Sequence, residues 1–156
     1  MNKSGLNIIG QIRLQCHDKE GNLRWDTGFI KNTITNAGKA EVAGLVGNSG
    51  SPTAFTYLAV GTDNTAPAAT QTALQAEITD SGLERASATV SLETTTVTDD
   101  TLQLQKVWTA TGSKTVEEIG IFNDASAGTM LGRALTTSKA VTSGETLTGT
   151  YQVIFA

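Results

Sequence analysis

The chain has 156 residues, enough for one domain that buries a core without disulfide or metal staples. Its formal charge is −4, only 17% of its residues are charged, and its 11 Lys and Arg form no basic run. That balance argues against a nucleic-acid binder, whose affinity comes largely from neutralised phosphates. The single cysteine, Cys16, excludes an intramolecular disulfide framework, and no apolar run approaches the roughly 18 residues that span a bilayer. Met1 to Gly5 leads only into a short apolar stretch interrupted by Asn7 and Gln11. No signal peptide is expected there, and synthesis is expected in the cytoplasm. Thr fills about one position in six and Gly occurs 16 times. A β-branched, charge-poor composition of this kind favours pleated, half-exposed surfaces.

In chain order, Ile12, Leu14 and Cys16 alternate with Arg13, Gln15 and His17, the pattern of a half-buried strand. Asp18 to Asn22 carries Gly21 and reads as a hairpin turn, after which Leu23 to Ile30 returns as a second strand with Trp25 and Phe29 on one face. Ala40, Ala43 and Val46 share a helical face behind Thr35 or Asn36 as N-cap, and Gly47 to Pro52 ends that helix. Tyr57 to Val60 is a short apolar strand. The stretch 61–72 is an extended, Gly- and Pro-punctuated loop, of the kind that is functional or an arm. Thr72 with Gln75 three residues on has the form of a capping box, which predicts a short helix through Ile78.

Beyond it the pattern is β: Ala86, Ala88, Val90 and Leu92, then Leu102 to Ala110 after the Asp99-Asp100 turn, then Val116 to Phe122 and Met130 to Leu135. The last strand has the clearest alternation, with Leu147, Gly149, Tyr151, Val153 and Phe155 on one face. Strands at this spacing predict a mainly β, single-domain antiparallel sandwich over residues 1–156, Ig-like or jelly-roll-like, with one or two short helices.

Chemistry-bearing motifs are few. Asp26-Thr27-Gly28 matches the triplet of retropepsin-like aspartic proteases, in which two aspartates share a proton, and Met130 to Arg133 resembles the segment that braces it. Its flank, Arg24-Trp25, is charged where that family needs a buried apolar strand, so an Asp and Gly closing a turn is the simpler reading. Cys16 and His17 point to opposite faces of a strand and cannot share one ion, and no other Cys or His exists to complete a zinc set. There is no Gly-x-Ser-x-Gly elbow, and Gly47 to Gly50 lacks the Lys-Ser/Thr of a phosphate loop. Glu117 and Glu118 are adjacent on a strand and diverge. No catalytic, metal or cofactor site is expected, and the protein is expected not to be an enzyme.

Thr35 to Gly38, Tyr57 to Thr62, Thr65 to Thr70 and Thr72 to Glu77, followed by Glu84-Arg85-Ala86 and Val116 to Asn123, together resemble a family of small tailed-phage virion proteins over roughly residues 34–156. Members are described as capsid decoration, head-fibre or tail-fibre-like proteins. In that family the Glu-Arg pair sits closer together than Glu77 and Arg85 do here.

The resemblance implies a virion location, with the outer capsid surface favoured over the tail. It implies the major capsid protein and further copies of the chain as partners, with a trimer suiting a capsid's local threefold axes, and neither nucleic acid nor membrane. A decoration (cement) protein is the leading expectation and a tail-fibre or tail-tip adaptor its rival. The short chain, with no room for a shaft, favours decoration. Candidate subunit or lattice contacts are Leu6 and Ile8 in a possible N-terminal arm over 1–11, Trp25 and Phe29 on the second strand, and Thr62, Asn64 and Pro67 in the long loop. An ordinary first strand is the alternative for the arm, and core packing is the default for Trp25.

Overall fold

A computed structural model describes residues 5–156. Two antiparallel sheets pack face to face as a sandwich. The first contains β1 (Ile8–His17), β2 (Leu23–Asp26), β7 (Thr89–Glu93), β8 (Thr101–Thr109) and β11 (Thr146–Phe155) in the order β2-β1-β11-β8-β7, with β3 (Ile30–Lys31) pairing β1 beyond β2. The second contains β4 (Thr33–Ile34), β5 (Tyr57–Gly61), β6 (Ala86–Ser87), β9 (Lys114–Phe122) and β10 (Met130–Val141) in the order β4-β10-β9-β5-β6. The core lies between them, built from Ile12, Leu14, Leu104, Leu147 and Tyr151 on one side and Leu58, Val60, Ile119, Ile121 and Leu131 on the other. The period-2 alternation read in β1, β8 and β11 is what delivers those side chains to one face.

The chain passes between sheets wherever two short strands abut. It crosses at Asn32 between β3 and β4 and at Ala88 between β6 and β7, where the Ala88 amide donates to the Thr56 carbonyl. The continuous alternation over 86–92 therefore serves two sheets, and its outer half, Val90 and Leu92, is exposed although it lies on the inner-face side of β7.

The one helix among the described residues, α1 (Asn36–Gly47), begins as expected. The Thr35 hydroxyl accepts from the Gly38 amide at 2.9 Å and donates to the Met130 carbonyl, so a single side chain caps the helix and ties it to β10. Asn48 ends it in the left-handed conformation (φ 46°), its amide returning to the carbonyls of the last turn. Gly38 lies directly on β10: a Cβ there would stand 2.6 Å from the Leu131 backbone.

Two expected elements differ. The second strand stops at Asp26 instead of running to Ile30. Gly28 takes φ +64°, the chain kinks, and only Ile30 and Lys31 rejoin β1. Trp25 and Phe29 therefore do not share a strand face. Trp25 is half-buried with its indole N–H on the Ala140 carbonyl, while Phe29 and Leu23 are exposed. The helix predicted over Thr72 to Ile78 is also absent. That stretch is extended and bent, and Glu77 forms a bridge to Gly61.

Candidate functional site: a loop seated on the second sheet

The second half of β9, from Glu118 to Phe122, is buried on both faces because the segment after β5 folds back over the outer side of the second sheet. The excursion closes on itself: the Thr62 amide donates to the Ala76 carbonyl and the Ile78 amide to the Val60 carbonyl. It is an Ω-loop in form, with its ends side by side. The sheet beneath makes room with small residues. Gly120 pairs Ala59 and Arg133 across three strands, and Glu118 pairs Gly61, leaving a trough lined by backbone. A Cβ at Gly120 would stand 2.9 Å from Leu74 Cδ2, and one at Gly61 would meet the Glu118 carboxylate. Leu74 drops into this trough against Ala59, Phe122 and Met130, a second apolar cluster separate from the main core.

Two arginines fix the loop. Arg133 and Glu118 are 1% and 0% exposed, and their Nε to Oε2 distance is 2.5 Å. The remaining Arg133 donors reach the loop at the Thr65 carbonyl (2.7 Å), Gln71 Oε1 (3.3 Å) and Asp63 Oδ1 (3.4 Å). Glu118 in turn accepts from the Gln75 and Ala76 amides at 3.1 and 2.8 Å. Buried charges are tolerable when paired and fully hydrogen-bonded, and here the hydrogen bonds that satisfy them are supplied by the loop.

Arg85 holds the returning end. It makes two bonds to Glu77 (2.9 and 2.6 Å), donates to the Asp124 and Ala127 carbonyls, and lies 3.6 Å over the Phe122 ring. Glu77 and Arg85 thus meet despite the residues between them. Within the loop, Asp63 accepts from the Thr65 amide, and Thr65, through its side chain first and then its amide, holds the Asp63 carboxyl below the usual range; Gln71 bridges Ala66 and Ala68.

The loop leaves Thr62, Asn64, Thr65 and Ala66 exposed and Pro67 half-buried: hydroxyls, one amide and small apolar groups on a fixed backbone. Of the other candidate contacts, Leu6 is 72% exposed and Ile8 is half-buried within β1, opposite Phe155. Residues 8–11 belong to β1, and residues 1–4 of the possible arm lie outside the described residues. Leu6, Ile8, Trp25 and Phe29 belong to the first sheet or its entry and do not join the loop.

Asp26 is held by Arg13 through two bonds, with further bonds from the Gly28 amide and Gln15. Arg13 foremost brings its carboxyl down to about 2. Met130 to Arg133 belongs to the other sheet and does not brace it. Cys16 is buried, and burial first, then Glu145, push its thiol up to about 12. Among the described residues no cluster of His, Cys, Asp and Glu has the arrangement of a metal site.

The sequence carried no local signal for the Arg133–Glu118 pair, because β9 also holds Lys114 and Glu117 and β10 also holds Lys139. An antiparallel sandwich, defined by two sheets and this seated loop, is the class the geometry establishes. No family model, curated protein or solved structure matches the chain.

Proposed function

We propose that the protein is a non-enzymatic structural component of a tailed-phage virion that decorates the outer face of the head, and that the loop Thr62 to Ala76 is its attachment surface. The observation that carries the reading is the pairing of an unreactive exposed surface with an unusually complete anchorage. A buried ion pair, a second arginine clamp and a small apolar cluster all hold one loop whose outward groups are hydroxyls, an amide and a proline. Such a loop loses little conformational freedom on docking, which favours affinity. The ordered sequence blocks that resemble those of small tailed-phage virion proteins include this loop and Glu77 at its returning end.

The partners on this reading are the major capsid protein and further copies of the chain. Copy number and position in the particle test it. Quantitative mass spectrometry of virions that encode the chain, with antibody labelling of heads and tails, should find on the order of hundreds of copies on heads, as expected of closed symmetric lattices. A handful of copies confined to the tail would replace decoration with the adaptor role. Cleavage of a peptide panel that is lost in Asp26→Asn would replace both.

A further inference from the structure

Sheet edges are hazards that proteins blunt with short strands, charge, proline or bulges. Three of the strands at the margins of this sandwich, β3, β4 and β6, are two residues long. β2 carries Arg24 and Asp26 and sits beside a register shift at Cys16/His17. β7 has only one of these protections, the charge of Glu93 at its end. It is five residues long, Thr-Val-Ser-Leu-Glu, it is regularly paired to β8, and no strand lies on its other side among the described residues. Its inner-face residues Val90 and Leu92 are 45% and 60% exposed. Val90 borders an apolar slot of about 340 Å³ between the first sheet and α1, lined also by Val46, Phe55, Leu102 and Phe155.

We propose that β7 pairs antiparallel with β7 of a second copy, about a two-fold axis through Ser91. An occupant of this edge must bring free backbone donors and acceptors and an alternating apolar face, and β7 itself has both. With Ser91 opposite Ser91, Val90 lies opposite Leu92 on the inner face, so each Leu92 is brought beside the slot-lining Val90 of the other copy. Thr89 lies opposite Glu93, the only charge in the strand, so no like charges oppose and a hydroxyl donor meets a carboxylate. On the outer face a run of side-chain bonds already leads to that edge, from Gln11 through Gln152 and Gln103 to Glu93, which also takes the Ser91 hydroxyl. The pairing continues this run into the second copy. It requires nothing of a capsid and stands whether or not the protein is a virion component.

The register makes the test specific. Opposed residues in an antiparallel pair have Cα atoms about 4.5–5.5 Å apart, inside the disulfide range. Under mild oxidation Ser91→Cys should close a covalent dimer. Thr89→Cys and Glu93→Cys should do so only when mixed, and buried Cys16 should not compete. In sedimentation the unmodified chain at about 100 μM, where a Kd of about 10 μM or tighter leaves mostly dimer, should run at twice the 16.2 kDa monomer. Leu92→Lys should weaken the dimer roughly tenfold, Thr89→Glu should also weaken it, and Thr89→Lys should strengthen it. A monomer at that concentration, a trimer, an open polymer, or equal self-crosslinking at 89, 91 and 93 would each overturn the proposal.

Discussion

The loop on the second sheet and the strand at the edge of the first invert the usual relation between regularity and order. Thr62 to Ala76 has no helix and only the closing bridge at its foot, yet its backbone is bonded to two buried charges and its leucine is packed. β7 is regular, yet one edge is open and its apolar residues face solvent. The comparison teaches that what settles a segment is where its polar groups and apolar side chains finish, not the name of its secondary structure.

The largest break in that comparison comes from Arg133→Ala. It leaves Glu118 buried without its cation and the Thr65 carbonyl without its donor. A loss of about 3–5 kcal/mol is expected in urea unfolding, accompanied by protease cleavage within 62–76 while β7 stays intact. Gly38→Ala comes next and sets two effects against each other. Alanine is better in a helix by about 1 kcal/mol, but its methyl meets the Leu131 backbone, and overpacking costs about 1–3 kcal/mol. A net loss of stability should appear in the same assay, with α1 displaced and the slot beside β7 widened. An observed gain would show that α1 shifts freely and that the slot is not a fixed feature.

Acid should weaken the first sheet through Asp26 and Asp100. Both carboxyls lie at about 2, lowered chiefly by Arg13 and by the Val97 amide respectively, against an ordinary 3.8. Groups lowered on folding add stability above the ordinary value and lose it as pH falls towards 2. Unfolding midpoints should therefore be flat from neutral pH to about 4 and fall below it, and Asp26→Asn should flatten part of that fall. Cys16 sharpens the contrast between settled and open regions, since a thiol raised to about 12 should resist alkylation at pH 8 until the chain unfolds. Leu92→Thr should have the smallest effect on monomer stability, within about 0.5 kcal/mol, because the side chain is exposed.

Much of the sandwich was legible. Alternation placed β1, β8 and β11, and Thr35 marked the start of α1, because in each the local pattern and the tertiary demand coincide. The Thr72–Gln75 signature failed because the donors a capping box would satisfy went elsewhere. The Gln75 amide binds Glu118, and the Gln75 side chain turns to the Ala73 carbonyl. The second strand failed at Gly28, whose positive φ breaks a run that reads as continuous. Of the candidate site, the extended loop was legible from its Gly, Pro and Thr. Its anchors were not, because a distant arginine and glutamate become partners only once β9 and β10 lie side by side. The open edge was hidden for a related reason: Ala86 to Leu92 alternates without interruption, and nothing in that pattern marks the change of sheet at Ala88.

That change of sheet also has a mechanical consequence. Arg85 is clamped to Glu77 and to the turn at 124–127, the next residues are laced to β5, and the chain then continues directly into β7. A pull on β7 along its length would be carried in shear by the β7–β8 ladder and, through Ala88, by the arginine clamp at the foot of the loop. The segment from Arg85 to Glu93 works as a tie rod between the two faces. Tension at the edge would reach the foot of the loop through this segment.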